Sequence, residues 1–116
     1  MKIERGRIYL MAERGDYTGK PRPVVVMQNP NVQLESVIVV PLTSYDADGS
    51  PIRVEIEPTL ENGLQKRSFA MCDKITTLPK AKLGISIGTM DIGRLSEIKQ
   101  VIVDLVDEGE ALDETA

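Results

Sequence analysis

The residues best suited to chemistry are an arginine held between two prolines and a pair of hydroxyls one strand further along the chain. Arg22 lies two residues before the apolar run 24–26, and Thr43 and Ser44 lie shortly after the apolar run 37–40. Because proline fixes its own φ and favours extended backbone in the residue before it, Arg22 enters its strand as a directed cation. If the two strands pair, the guanidinium and the hydroxyls lie at one edge of a sheet, where they can bind a phosphate. The alternative stays open here: Arg22 merely begins a strand and Thr43 opens a turn.

Composition indicates one domain with an aliphatic core. The chain has 116 residues, 41% of them hydrophobic, with one Phe and no Trp, so a base-reading surface of stacked aromatic rings is not expected. The single cysteine, Cys72, excludes an internal disulfide framework, and we interpret it as an inert core residue. Histidine is absent, which removes histidine-based catalytic triads and histidine metal sites. No carboxylate spacing indicates a metal site, so we expect neither metal nor cofactor.

Charge and hydropathy place the chain in the cytoplasm and single out its last residues. No apolar run is long enough to span a bilayer, and no signal-peptide pattern opens the sequence, so we expect a soluble cytoplasmic protein without membrane contact. Residues 1–103 carry 14 basic and 12 acidic side chains, whereas residues 104–116 carry 6 acidic ones and no base. The pattern predicts one domain over residues 1–106 and an acidic, disordered tail over residues 107–116.

The periodicity is that of short strands followed by one helix. Alternating or continuous apolar runs predict strands at 7–12, 22–28, 36–42, 52–57, 68–77 (one or two strands with a kink) and 85–88. Pro79 begins a single predicted helical turn over 79–82. Apolar residues at helical spacing then predict a closing helix with Asp91 as its N-cap; they are Ile92, Leu95, Ile98, Ile102 and Leu105. Short strands closed by one helix predict a mainly β fold, a small SH3-like barrel, whose leftover strand edges favour pairing with a second copy.

Several motifs, in order and spacing over residues 4–106, resemble the MazF/PemK/Kid toxins of bacterial type II toxin–antitoxin systems. The resemblance rests on Gly6-x-Ile8-Tyr9, Lys20-Pro21-Arg22-Pro23-Val24-Val25-Val26, Val40-Pro41-Leu42-Thr43-Ser44, Asn62-Gly63-Leu64 and the run from Met71 to Lys80. It implies the CcdB/MazF/PemK variant of the SH3-like barrel, a homodimer and a cognate antitoxin protein. It also implies metal-independent, sequence-specific cleavage of single-stranded mRNA, leaving 2′,3′-cyclic phosphate and 5′-hydroxyl ends.

The resemblance also assigns residues to that reaction. The strand-opening arginine of the family corresponds to Arg22, its hydroxyl residue after the third strand to Thr43, and its acidic residue in the fifth strand to Asp73. The neighbour of that acidic residue is usually glutamine in the family but is Lys74 here, which puts base selection in question. Apart from the resemblance, the chemistry of the side chains predicts an RNA-binding set of Ser44, which can partly substitute for Thr43, and three lysines that can bind flanking phosphates. These lysines are Lys20, Lys74 and Lys80. For Asp73 a purely structural ion pair is an equally good interpretation.

Two other functions stay open at this stage. One is gyrase poisoning, as in the CcdB branch of the same fold, which acts through a C-terminus of the Trp-Gly-Ile type. This chain has no tryptophan and ends in Thr115-Ala116, which argues against that function. The other is a non-catalytic binding barrel, which the net charge of −4 and the modest number of basic residues favour.

Overall fold

The chain folds into seven short strands followed by one long helix. The computed structural model describes residues 2–11, 22–45 and 50–109. Its strands are β1 (Arg7–Met11), β2 (Pro23–Val26), β3 (Ser36–Thr43), β4 (Arg53–Ile56), β5 (Ser68–Met71), β6 (Thr76–Pro79) and β7 (Leu83–Thr89), and its helix is α1 (Ile92–Val106). One-turn 3-10 helices at Cys72–Lys74 and Lys80–Lys82 precede β6 and β7. The predicted mainly β class with a C-terminal helix is confirmed, and the ambiguous run 68–77 forms two strands around the first 3-10 turn.

The strand β3 organises the sheet because it pairs with three others. The path runs β4-β5-β3-β2-β1-β7, and β6 adds to β3 outside that path. The first half of β3 pairs antiparallel with β6, while its end, at Leu42 and Thr43, pairs with β5. A strand that changes partners along its length bends the sheet, as a small barrel requires. Within the described ranges β4 and β7 do not pair, so strand pairing alone leaves the curved sheet open.

A loop bridges the open side of the sheet. Residues 57–67 connect β4 to β5 and reach β7, where the Thr89 amide donates to the Glu61 carbonyl at 2.7 Å. Gly63 has φ of +69°, and a Cβ added there would lie 1.9 Å from the Ile87 carbonyl oxygen. Only glycine fits so close a backbone approach with a positive φ. The bend at Asn62-Gly63, part of the motif noted in the sequence, is therefore the point at which the backbone of this loop packs against β7.

The core has two parts, one on each face of β2 and β3. The residues from Val24 to Val26 are all fully buried, which explains why β2 is a continuous apolar run and not an alternating one. One cluster includes Val25, Val40 and the helix residue Ile98. The other includes Val24, Val26 and strand residues from β1, β3 and β7. The core is aliphatic, as the composition predicted.

The helix α1 follows the predicted pattern only in part. The Asp91 carboxylate accepts a hydrogen bond from the Arg94 amide at 3.0 Å, which confirms the predicted N-cap. Leu95 and Ile98 are buried, whereas Ile92 and Leu105, assigned to the same apolar face, are exposed. Helical spacing defines a face, but the sheet covers only its central turns. No helix among the described residues is long and apolar enough to cross a membrane. Of the predicted disordered tail, residues 110–116 lie outside the described residues.

Candidate active site

Strands β2 and β3 carry the two principal predicted site residues to one place. Val24 pairs with Pro41 and Val25 with Val40, in antiparallel orientation. Arg22 lies just before β2 and Thr43 is the last residue of β3, so both lie beyond the same end of this ladder. Both residues line one cleft.

The backbone of Arg22 is fixed at the beginning of its strand. The Arg22 carbonyl accepts a hydrogen bond from the Met11 amide at 2.9 Å, so β1 holds this residue from the other side. Its side chain is exposed, immediately before a β2 that is half-buried at Pro23 and fully buried beyond it. An anchored backbone with an exposed cationic residue is a suitable arrangement for binding an anion.

An open cleft of about 920 Å³ contains these residues. Arg22, Thr43 and Ser44 all line it. The loop that contacts β7 contributes the lining residues from Gly63 to Lys66, and the apolar lining includes Leu10, Leu42 and Ile87. The cleft thus combines apolar side chains with a guanidinium, several hydroxyls and an ammonium. This combination can bind a phosphodiester together with the apolar face of a base or sugar.

The Thr43 hydroxyl is oriented by the chain that follows it. The Tyr45 amide donates to Thr43 Oγ1 at 3.1 Å. Because the oxygen accepts this bond, its own hydrogen is directed elsewhere and can serve as a donor. Thr43 is half-buried and Ser44 is exposed, so Ser44 is the more accessible of the two residues to a ligand. Thr43 does open the turn that the alternative interpretation foresaw, and it lines the cleft as well.

Three of the other predicted residues do not line this cleft. Asp73 is in the 3-10 turn after β5 and not in a strand as predicted, because the chain must change direction there to reach the far end of β3. Its carboxylate lies 3.9 Å from the Arg53 Nε and 3.9 Å from the Lys74 Nζ. Lys80 is at the start of the second 3-10 turn, and its ammonium donates to the Gln33 side-chain oxygen at 3.3 Å. Asp73, Lys74 and Lys80 are not among the cleft-lining residues of this chain, and Lys20 lies outside the described residues.

Sequence reasoning missed several polar residues that line the cleft. Gln65 and Lys66 are the two that belong to the loop after β4. They follow the Asn62-Gly63 bend directly, which was the one local signal available. A bend marks where the chain turns, but which surface the residues after it face depends on the docking of the loop on β7.

The titration and metal-binding chemistry of the described residues is limited. Burial, with a smaller contribution from Asp73, raises the pKa of the Cys72 thiol to about 11. The thiol is fully buried and donates to the Ala70 carbonyl, so the interpretation of Cys72 as an inert core residue agrees with its surroundings. In the three described segments, no group of three or more His, Cys, Asp or Glu side chains is arranged to hold a metal ion.

Comparison with known proteins places this chain in a family. Residues 4–106 match the model of the PemK-like, MazF-like toxins of type II toxin–antitoxin systems. A relative from Mycolicibacterium smegmatis, described as a probable endoribonuclease MazF, is 45% identical over 103 residues, which cover 88% of this chain and 90% of that protein. The chain therefore belongs to the PemK/MazF-like toxin family, and the resemblance found in the sequence is confirmed.

Solved structures agree with the fold. The Mycobacterium tuberculosis toxin MazF-mt6 is 26% identical and superposes with a TM-score of 0.71, covering 87% of this chain and 96% of its own. An endoribonuclease from a mycobacterial species, in complex with its cognate antitoxin, is 23% identical with a TM-score of 0.68, covering 89% and 91%. A MazE–MazF structure from Deinococcus radiodurans is 19% identical with a TM-score of 0.72, covering 92% and 97%. The last two likenesses concern the fold alone.

Proposed function

We infer that this protein is the toxin of a type II toxin–antitoxin system and acts as an endoribonuclease that cleaves single-stranded mRNA at short sequences. The observation that carries the inference is that Arg22 and Thr43 line one open cleft, beside the paired strands β2 and β3, in a member of this toxin family. The name of the 45% identical relative, a probable endoribonuclease, supports the same reaction.

The proposed reaction is a transesterification within the RNA. The 2′-oxygen loses its proton and attacks the adjacent phosphorus, the bond from phosphorus to the 5′-oxygen breaks, and that oxygen takes up a proton. The products are a 2′,3′-cyclic phosphate and a 5′-hydroxyl. The transition state carries additional negative charge on the non-bridging oxygens, so a cation placed beside them lowers the barrier.

Arg22 is suited to that charge. Its planar fork can donate two parallel hydrogen bonds to phosphate oxygens. Thr43 donates to the phosphate or positions the 2′-hydroxyl, and Ser44 supplies a second hydroxyl one residue away. This division of labour needs no metal ion, because the guanidinium neutralises the charge that a metal would otherwise neutralise.

A role of Asp73 and the lysines in the reaction has less support. The ion pairs of Asp73 with Arg53 and Lys74 favour the structural interpretation that the sequence left open. Binding of flanking phosphates by Lys20, Lys74 and Lys80 stays a prediction.

The partners and location follow from the proposed activity. A ribonuclease that cuts mRNA harms its host, so a cognate antitoxin is needed; the mycobacterial and Deinococcus structures hold such complexes. We propose an antitoxin segment that folds on binding and covers the cleft. We also propose a homodimer, and the cytoplasm as the place where the toxin meets mRNA.

Substitutions at the cleft test the activity. Arg22→Ala should lower the cleavage rate of a short fluorogenic RNA by about 10²–10³, the loss typical of one transition-state donor. Arg22→Lys should fail nearly as badly because a point charge does not reproduce the fork. Thr43→Ala should lose less if Ser44 compensates, and the double variant should lose more. EDTA should leave the wild-type rate unchanged.

Controls distinguish this function from the alternatives. Circular dichroism should show that each variant remains folded, since these side chains lie at the cleft and not in the core. A parallel assay with gyrase and supercoiled DNA should show no effect of the toxin. Full activity in a folded Arg22→Ala protein would refute the mechanism, and inhibition of gyrase without RNA cleavage would refute the function.

A further inference from the structure

Part of the cleft wall is formed by residues 63–66, a segment held by a buried side chain and by close backbone contacts. Asn62 is only 3% exposed. Its side-chain oxygen accepts from the Thr59 amide at 2.9 Å and from the Leu64 amide at 3.0 Å, and its side-chain nitrogen donates to the Glu57 carbonyl at 2.9 Å. One buried carboxamide therefore fixes both arms of the loop.

The backbone contacts with β7 fix the same segment from outside. A Cβ at Gly88 would lie 2.3 Å from the Glu61 carbonyl oxygen, as one at Gly63 would clash with Ile87. Ser68, just after the segment, donates its hydroxyl to the Lys66 carbonyl at 2.9 Å. Residues 63–66 are thus constrained at three places. Asn62 holds the chain before them, β7 packs against their backbone, and Ser68 holds the chain where β5 begins.

The side chains that this segment presents are available to a ligand. Gln65 and Lys66 are exposed and line the cleft. Within the described parts of the chain, neither the Gln65 carboxamide nor the Lys66 ammonium has a hydrogen-bond or ion-pair partner. The next residue differs: the Arg67 guanidinium lies 3.3 Å from a Glu55 oxygen and 5.3 Å from the centre of the Phe69 ring. Gln65 and Lys66 therefore line the cleft, whereas Arg67 contacts Glu55 of β4 and Phe69 of β5.

We propose that Gln65 and Lys66 are RNA-contacting residues on a preformed wall: Lys66 binds a phosphate next to the scissile one, and Gln65 reads the edge of a base. The proposal rests on the proposed ribonuclease function and deepens it. An ammonium is a compact donor that suits phosphate oxygens. A carboxamide offers both a donor and an acceptor, which is what the hydrogen-bonding edge of an unstacked base requires. Because the wall is rigid, little conformational entropy is lost when RNA binds to it.

The Lys66 contact is tested by the salt dependence of RNA binding. The probe is a short RNA containing the mapped cleavage site, with a 2′-O-methyl group at the attacking nucleotide so that it binds without being cut. Each phosphate contact to single-stranded nucleic acid contributes about 0.7 to the slope of log K against log salt concentration. Lys66→Ala should therefore reduce that slope by about 0.7, measured by fluorescence anisotropy. Lys99→Ala, which removes the same charge from the exposed face of α1, is the matched control and should leave the slope unchanged.

The Gln65 contact is tested by cleavage preference. Cut sites on a long defined RNA are mapped by sequencing for the wild type, Gln65→Ala and the control Gln100→Ala, whose residue is on α1. Loss of a base contact should lower the discrimination at one position of the cleavage motif by about fivefold or more. The other positions should keep their preference, because the remaining contacts are intact.

The outcomes separate this proposal from the proposed function. If the wild type cleaves RNA and Arg22→Ala does not, the function stands. An unchanged salt slope for Lys66→Ala in that setting refutes the phosphate contact, and an unchanged preference for Gln65→Ala refutes the base contact. If the wild type cuts no RNA at all, it is the function that fails.

Discussion

Replacing Asn62 by alanine should destabilise the protein substantially, because one side chain carries three of the bonds that hold the cleft wall. The substitution removes acceptors for two backbone amides and a donor for one carbonyl, all at 2.9–3.0 Å. A hydrogen bond contributes about 1 kcal/mol net, and leaving its partner unsatisfied in a buried place costs as much or more. The free energy of unfolding should therefore fall by about 3 kcal/mol.

A loss of that size is measurable because domains of this length are stable by only about 5–15 kcal/mol. For a domain of about this length, a loss of about 3 kcal/mol corresponds to a decrease of about 10–15 °C in melting temperature. Thermal and urea unfolding, followed by circular dichroism, give both quantities. Asn29→Ala is the matched control: its side-chain oxygen accepts one exposed bond, from the Asn31 amide at 2.8 Å. It should lower the melting temperature by a few degrees at most. If the two variants melt within a few degrees of each other, the Asn62 network does not hold the wall as argued.

The remaining predictions concern an ion pair, a buried thiol and a partner. Asp73→Asn weakens a half-buried pair with Arg53, so we expect a cost of about 1 kcal/mol in stability and a cleavage rate within about threefold of wild type; a hundredfold loss would assign Asp73 to the chemistry. Because burial raises the pKa of Cys72 to about 11, iodoacetamide should label it very slowly at pH 8 in the folded protein and readily in urea. The unfolded thiol loses its proton near pH 9 while the folded one keeps it, so stability should fall as the pH rises from about 9 to 11; a flat profile, or one shared by Cys72→Ala, would contradict this. Co-expression with the neighbouring open reading frame should restore growth of cells expressing the toxin, and failure of every adjacent gene to do so would argue against a toxin–antitoxin pair.

The amino-acid sequence by itself determined the strands, the capped helix and the two strand ends that carry the candidate site residues Arg22 and Thr43. An apolar run such as 24–26 has no stable place except between two packed layers, and prolines on either side of Arg22 set its direction without reference to the rest of the fold. Asp91 caps its helix through a bond to the amide three residues later, which is equally local. The motif-based assignment of the family succeeded because these local determinants follow one another in a fixed order over residues 4–106.

The tertiary structure decided what depends on distant segments meeting. Arg22 and Thr43 line one cleft beside the paired strands β2 and β3, and the sequence predicted their proximity only on the condition that these strands pair. Asp73 lies in a 3-10 turn because β5 and β6 pair with different parts of β3, a fact without a local signal. Gln65 and Lys66 reach the cleft only because the loop before them docks on β7. Ile92 is exposed although its spacing assigns it to the apolar face of the helix. Helical periodicity tells which residues share a face, but it does not tell how far the sheet extends to cover that face.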